Sequence, residues 1–572
     1  MRCPCLASPC VASPSLASPH VTWRWGMPSG ESAVRELPPV DTAARLVSRG
    51  QAVAAAVLVA AAAAEALLSG PMTLGPMTLL RAAVALAIAF YIVFVGLKVI
   101  VWQAAARSAA RPGFPPQGLP AADDPQLPRY TVLVPLCGEA NVVERLVAAL
   151  SGLYYPARKL QILLLLLEEY DEETQAAVRA VDLPAHFEVL IAPDAGPRTK
   201  PKACNAAFSR ATGDIVVIYD AEDRPEPDQL LQAAAGFREL AVRDPRTGCL
   251  QARLAFWNPR GSWISSYYWA EYVIHFQWVL AGLSRLGLIP PLGGTSNHFR
   301  IEALRAVASA NGPWRFKDAQ GRPVTMTGPW DPYNVTEDAD LAFRLAQAGY
   351  RIGMLGSTTY EEAPDTARKA KNQRSRWLQG YAQTGLVHTR RPLRQMRAVG
   401  PVRYLAFILL ILGTPASLLL NPIMWATTVA YIVARLAPFS AVSAFMDQLF
   451  PAPVFYAGIL VAVAGNPVLF AQKLFTPLRQ QQQPGPARGT PGYHPLAGYL
   501  REQECGLTVR LLFTPLWWGF TSVSAVQAMH RLLAPSRRSA WDKTPHGHAL
   551  DTEIALMGGP SAASMTEQAE VS

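Results

Sequence analysis

The chain passes through three hydrophobic regimes. Residues 53–68 and 79–97 are near-continuous apolar runs, interrupted only by Glu65 and Arg81. Each approaches the roughly 20 residues that a membrane-crossing helix needs. The Gly- and Pro-containing turn between them predicts a helical hairpin, and Arg107 and Arg111 place the following segment on the cytoplasmic side. From Tyr130 the pattern becomes short apolar runs at 130–136, 161–167, 188–192 and 215–219, separated by stretches of helical periodicity. That rhythm predicts parallel strands joined by crossover helices, an α/β Rossmann-like sheet. The run 162–167 is apolar on both faces, as a strand covered by helices on each side requires.

After Gly400 long uncharged runs return at 404–434, 453–472 and 511–529. The last two are one span each. The first extends for about 46 Å as a helix, more than one bilayer core of about 30 Å and less than two. It reads either as a tight hairpin broken at Pro415 and Pro422 or as one long tilted helix, and the hairpin is favoured because it keeps the basic tail cytosolic. The expected organisation is therefore a disordered segment (1–50, with Met27 as an alternative start), two transmembrane helices (51–105), a cytosolic domain (112–400), three to four further membrane helices (401–532) and a polar tail (533–572). No internal repeat is evident.

Composition narrows the class. The chain has 572 residues, 50% of them apolar and 16% charged, which is too long and too apolar for one small soluble domain. The net charge of +10 is concentrated beside apolar spans, and neither zinc-finger spacing nor a basic-aromatic signature points to nucleic acid. Cys3, Cys5 and Cys10 crowd the amino terminus while Cys137, Cys204, Cys249 and Cys505 are scattered without a CxxC pair, so no disulfide framework or zinc site is expected. The amino-terminal segment lacks a continuous apolar core, which argues against a cleaved signal peptide.

Ligands of parallel sheets sit beyond the carboxyl ends of the strands, so the polar residues there carry the candidate chemistry. After the fourth strand runs Ile218-Tyr219-Asp220-Ala221-Glu222-Asp223, three carboxylates suited to a hard divalent cation and the diphosphate it neutralises. Lys200-Pro201-Lys202-Ala203-Cys204-Asn205 opens a helix whose free N–H groups and lysine charge suit phosphate. Val335-Thr336-Glu337-Asp338 opens another, with Thr336 as a natural N-cap and the acids complementing the helix dipole. A carboxylate held there on a rigid element can also act as a general base. Finally, Gln373-Arg374-Ser375-Arg376-Trp377 follows Arg368, Lys369 and Lys371 and reads as a basic interfacial helix, or as a guanidinium for a diphosphate beside an indole for a sugar face. Taken singly, each stretch has a plain structural explanation.

In combination and in this order they resemble family 2 glycosyltransferases of the cellulose synthase-like kind, with motifs written D, DxD, TED and QxxRW over about 130–386. The resemblance implies a GT-A catalytic domain inserted between membrane helices, and an inverting, metal-dependent transfer from a nucleotide-sugar such as UDP-glucose to a growing β-linked polysaccharide at the plasma membrane. Export through the membrane helices, with or without further subunits, is part of that expectation. A single transfer to a lipid-linked acceptor is the alternative. Asp338 matches the family's catalytic base; Asp220 and Glu222, or Asp223 in place of Glu222, match the carboxylates for Mg²⁺ or Mn²⁺. Glu139, Glu168, Glu169, Lys202, Asp220 and Arg376 are expected around the donor, and Gly294, Thr295, Glu337, Gln373 and Trp377 around the acceptor. The family's early aspartate is absent as such. Glu168 and Glu169 stand in its place, which leaves UDP against GDP open.

Overall fold

The computed structural model describes residues 42–68, 75–107, 119–121, 123–166, 171–318, 320–436, 441–449 and 514–534. The expected disorder of the first 41 residues, the run 453–472, the polar tail and the candidates Glu168 and Glu169 lie outside them.

The strands are β1 (Tyr130–Leu136), β2 (Leu160–Leu166), β3 (Phe187–Ile191), β4 (Ile215–Ile218), β5 (Arg224–Pro225), β6 (Thr247–Phe256), β7 (Asn297–Arg300), β8 (Trp314–Lys317), β9 (Pro323–Met326) and β10 (Arg351–Glu361). Eight of them form one sheet in the order β3-β2-β1-β4-β7-β6-β10-β5, and β8 pairs with β9 in a hairpin. The first four are parallel, as the apolar rhythm predicted. Beyond β4 the sheet is mixed, because β7 runs antiparallel to both β4 and β6. Asn-His-Phe-Arg is too short and too polar to announce itself as a strand. Its His298 is buried by pairing Nδ1 with the Tyr130 hydroxyl at 2.6 Å.

The helices around the sheet are α1 (Arg49–Leu68), α2 (Gly75–Ala106), α3 (Val143–Ser151), α4 (Glu172–Ala180), α5 (Lys200–Phe208), α6 (Gln229–Arg243), α7 (Trp263–Tyr272), α8 (Leu280–Arg285), α9 (Ile301–Asn311), α10 (Glu337–Gln347), α11 (Ala367–His388), α12 (Pro392–Val399), α13 (Pro401–Leu436), α14 (Ala441–Leu449) and, after the undescribed segment, the helix Thr514–Leu533. A π-helical turn, Val273–Val279, joins α7 to α8. On one sheet face Val132 and Val134 pack with Leu146 and Leu150 of α3 and Leu230 and Phe237 of α6. On the other, Leu133 and Val216 pack with Cys204 of α5, Leu304 of α9 and Leu341 of α10. Both faces are thus covered, which explains the two-sided apolar strands.

α2 continues through Ala106 because its last turns dock on the α/β domain. Trp102 stacks on Trp278 at 5.8 Å, and Gly282 of α8 lies so close that a Cβ there would come 2.1 Å from the Val101 carbonyl oxygen. Residues 401–436 form one continuous helix, the long-helix alternative and not the favoured hairpin. Each proline removes one amide donor, but side chains occupy carbonyls around the gap: Thr414 Oγ1 donates to Leu410 O at 2.7 Å, Ser417 Oγ to Thr414 O at 2.9 Å, and Tyr91 of α2 to Ser417 O at 2.8 Å. The amino-terminal half of α13 joins the sheet's own core through Tyr404, Phe407 and Ile411.

Candidate active site

A cavity of about 470 Å³ opens at the carboxyl ends of β1 and β4, and the loops leaving those strands supply Glu139, Asp220 and Glu222 to its wall. Asp223 is turned the other way. It is fully buried, its Oδ2 accepts the Asp220 amide at 2.7 Å and contacts the Thr295 hydroxyl, and burial beside Asp220 and Glu222 pushes its carboxyl well above the ordinary range. The alternation of side chains puts Asp220 and Glu222 outward and Asp223 inward, so Asp223 closes the loop and does not face a ligand. Thr295 is likewise behind the wall, while its neighbour Gly294 lines the cavity.

Helix α5 begins beneath this loop. Lys200 lines the cavity, pairs with Asp220 Oδ1 and donates to Gly294 O at 2.8 Å. Burial works against its charge, but Asp220 and Glu337 outweigh it and raise the Lys200 pKa. Lys202 lies about 200° further round the helix. It is fully buried and reaches Pro193 O at 3.2 Å, so the lysine that lines the cavity is Lys200 and not the expected Lys202.

The opposite wall is made by α10 and α11. Glu337 and Asp338 occupy the first turn of α10 and both line the cavity. Thr336 stands at the N-cap position without a capping hydrogen bond; its hydroxyl sits 3.3 Å from that of Thr384. Burial raises both neighbouring carboxyls, and Lys200 opposes the rise in each. Asp338, whose Oδ1 also accepts the Ala339 amide at 2.7 Å, is pushed up to about 6. Gly294 faces this group, and a Cβ there would lie 3.7 Å from Asp338 Oδ2 and 3.9 Å from Lys200 Nζ. The space between Asp338 and Lys200 exists because residue 294 has no side chain.

From α11, Arg374, Arg376, Trp377 and Tyr381 line the cavity. Burial and the nearby Arg531 lower the Arg376 pKa, while Glu337, Asp220 and Glu222 support its charge. Arg374 pairs with Glu271 of α7 and stacks over Tyr268 and Trp517 at 5.1 and 5.2 Å. Trp517 in turn donates Nε1–H to Glu271 at 2.9 Å. Gln373 is buried outside the cavity wall, and its Oε1 has no hydrogen-bond partner among the described residues. It is not brought to the cavity, where the resemblance had placed it. The site thus unites Glu139, Asp220, Glu222, Gly294, Glu337, Asp338, Arg376 and Trp377, and adds Lys200, Arg374 and Glu271.

The stretch that carries most of these residues is similar to known sequences. Residues 215–460 match the family described as glycosyl transferase family group 2. That stretch contains all the motif residues of the cavity except Glu139 and Lys200. Among curated relatives, a probable glycosyltransferase of Bacillus subtilis is 24% identical over 45% of this chain and 56% of its own length. A β-monoglucosyldiacylglycerol synthase of Trichormus variabilis is 24% identical over 44% and 49%, and a probable glucomannan 4-β-mannosyltransferase of rice is 26% identical over 45% and 43%. The chain therefore spans about half the length of the curated relatives it matches. Among solved structures, a mannosyltransferase from Pyrobaculum calidifontis in complex with GDP-Man and Mn²⁺ aligns over 67% of this chain and 99% of its own, at 20% identity and a TM-score of 0.41.

No cluster of three or more His, Cys, Asp or Glu side chains placed to hold a metal occurs among the described residues. The cavity instead offers two outward carboxylates, Asp220 and Glu222. Two hard oxygen ligands completed by substrate phosphates are the usual donor set for Mg²⁺ or Mn²⁺ beside a nucleotide, and the residues present fit it.

Proposed function

We propose that the chain is an inverting, metal-dependent glycosyltransferase of GT-A type that moves a hexosyl group from a nucleotide-sugar, UDP-glucose or a similar donor, to a hydroxyl acceptor at a membrane surface. The observation that carries this reading is the meeting of Asp338, Lys200, Asp220 and Arg376 in one cavity, with Gly294 leaving room between the base and the lysine. The acceptor hydroxyl passes its proton to Asp338, and its oxygen attacks the anomeric carbon from the side opposite the diphosphate. The carbon–oxygen bond to the diphosphate breaks, and the electron pair leaves on the phosphate oxygen. Arg376 and Lys200 face the charge that develops there, fixed in place before reaction, which is the most effective form of electrostatic stabilisation. Asp220 and Glu222 would hold Mg²⁺ or Mn²⁺, which supplies further neutralisation of the leaving group.

We read α2 and α13 as membrane-spanning. These are the helices of the described residues long and apolar enough to cross a bilayer. Leu86, Val93, Ile100, Val402, Ile423 and Val429 are each more than half exposed on them, an apolar surface that lipid covers and water does not. Relatives named for a lipid product and for a polysaccharide product both match, so the acceptor remains between these classes on likeness alone.

Membranes or purified protein supplied with a panel of labelled UDP- and GDP-sugars and Mn²⁺ test the reading. Release of nucleoside diphosphate with transfer of label, lost in Asp338→Asn, is the expected result. The reading is abandoned if Asp338→Asn transfers at the wild-type rate. A ladder of soluble products would assign polysaccharide extension and bring export with it; one labelled lipid band would assign the single transfer.

A further inference from the structure

Between Asp365 and Asp447 the sequence holds no acidic residue, yet its arginines continue to the threshold of α13. α12 sits at that threshold. One face of it is committed to the α/β domain: Gln395 and Val399 are buried, Gln395 Oε1 accepts from Gln347 at the end of α10, and Val399 joins the core that contains Leu341 and Leu345 of the same helix. At about 100° per residue, Leu393, Arg394 and Arg397 fall together on the opposite side. All three are exposed. This face continues into the first turns of α13, where Val402 and Leu405 are exposed and Arg403 has a buried Nε with no hydrogen-bond partner among the described residues. Among the described residues no carboxylate pairs with Arg394, Arg397 or Arg403. At the other end, Arg81 in the second turn of α2 donates to Gln448 O beyond α13. α2 and α13 therefore run antiparallel, and the arginines lie at the end where both helices meet the α/β domain.

We propose that this face, α12 with the first turns of α13, binds the phosphates of anionic phospholipids in the leaflet that borders the α/β domain, and that lipid bound there steadies the helix carrying Asp338. Guanidiniums standing just outside an apolar helix meet lipid phosphates at the depth where Leu393, Val402 and Leu405 meet acyl chains. A soluble polyanion would match the arginines and leave those apolar side chains in water. Without an anion, Arg394 and Arg397 repel one another on one helix face, which loosens α12 and its hold on Gln347. α10 is a rigid rod of 11 residues, about 16 Å long, so a tilt at its Gln347 end moves Asp338 at the other. The binding rests on the reading of α13 as membrane-spanning. Its effect on rate rests also on the proposed transfer reaction.

The test uses the full chain in phosphatidylcholine nanodiscs that carry a trace of photoreactive phosphatidylglycerol or of photoreactive phosphatidylcholine, first without donor. Phosphatidylglycerol should label residues 391–405 about fivefold more than phosphatidylcholine, and added salt should narrow the difference. Arg394→Gln combined with Arg397→Gln should remove the preference. Arg394→Lys combined with Arg397→Lys, which keeps the charge, should retain it, and Arg315→Gln on β8 should leave it unchanged. Equal labelling by both probes, or a preference that survives the double Gln substitution, overturns the lipid site; labelling of α2 and α13 by both probes in that same experiment keeps their membrane reading. An oligonucleotide that binds through Arg394 and Arg397 while phosphatidylglycerol shows no preference assigns the face to a soluble polyanion and overturns the proposal as well. With labelled nucleotide-sugar and Mn²⁺, kcat should be about fivefold higher in discs rich in phosphatidylglycerol at unchanged donor KM, and the double Gln substitution should lose the increase. A kcat indifferent to phosphatidylglycerol in a chain labelled at 391–405 overturns the coupling to α10. Charge-dependent labelling in a chain that transfers no sugar sustains the lipid site and removes the transfer reaction instead.

Discussion

In the proposed reaction Asp338 must be ionised inside a wall that favours the neutral acid. Burial raises its carboxyl to about 6, and the Ala339 amide and Lys200 limit the rise. A base must be deprotonated to accept the hydroxyl proton, so kcat/KM should fall as pH drops through about 6. The stability effect has the opposite slope. The folded state holds this proton more tightly than the unfolded chain, so the contribution is present at low pH and is lost as pH rises from the ordinary carboxylate value of 3.8 through about 6. Asp338→Asn should therefore reduce transfer by about 10²- to 10⁴-fold. Its melting temperature at pH 7.5 should be no lower than wild type; a marked fall would show that the carboxylate is structural. Lys200→Met removes the charge that lowers the Asp338 pKa, so the acid limb of the pH–rate profile should move upward and the donor KM should rise. A second residue-scale expectation concerns Gly294. Its Cβ would meet only ordinary van der Waals neighbours, Asp338 Oδ2 at 3.7 Å among them, so Gly294→Ala should fold normally yet lose transfer by at least tenfold. Circular dichroism and product formation measured on the same sample check both halves of that statement.

At the scale of elements, the site depends on how closely α11 crosses the start of α10. A Cβ on Gly380 would come 2.5 Å from Thr336 Cγ2 and 2.7 Å from the Thr336 backbone nitrogen, so Gly380→Ala must push the helix bearing Arg376 away from the helix bearing Asp338. Misplacement by about 1 Å can cost on the order of 10² in rate. Such a fall in kcat, measured with donor binding retained, is the expected outcome. The same two helices are tied by a buried ion network: Asp340 accepts from Arg344 Nε at 2.5 Å and contacts His388 Nε2 at 2.8 Å, while Arg344 Nη1 donates to Asn311 Oδ1 at 2.9 Å. Despite burial, Arg344 and His388 hold the Asp340 carboxyl at about 2. Asp340→Ala leaves a buried guanidinium without its main partner and should destabilise the fold by about 3–5 kcal/mol in denaturant unfolding.

For the whole molecule, the α/β domain and the apolar helices are packed as one structure. Phe407 of α13 lies 4.9 Å from Phe343 of α10, centroid to centroid, and the helix Thr514–Leu533 reaches the motif helix twice more, through Gln527 to Asn372 at 3.2 Å and Arg531 to Gln379 at 3.1 Å. Trp517 closes the arrangement by holding Glu271, which holds Arg374. Trp517→Ala should therefore lower kcat through an active-site arginine it never shares a ligand with, and Trp517→Phe, which keeps the ring but not the N–H, should recover stability more fully than rate. The exposed apolar faces of α2 and α13 predict that the chain stays in the membrane pellet after carbonate extraction and leaves it only with detergent.

The sequence by itself determined the features that depend on local periodicity and linear spacing. Parallel strands β1 to β4, the apolar helices and the choice of Asp220, Glu222, Asp338, Arg376 and Trp377, which the fold brings to one cavity, all follow from runs and motifs readable along the chain. What it did not determine are the choices made by facing. Lys200 and Lys202 are two residues apart, and only the helix phase against the sheet sends the first to the cavity and buries the second. Asp223 and Glu222 are adjacent carboxylates, and the turn after β4 directs one inward to Thr295. Pro415 and Pro422 signal a break, yet neighbouring hydroxyls and α2 keep α13 continuous. His275 and Glu271 belong to no motif, because their places in the cavity wall arise only where α7 and the π-helical turn meet the end of the sheet. Tertiary packing decides these cases because a side chain's direction depends on the partner surface across from it, which lies far away in sequence.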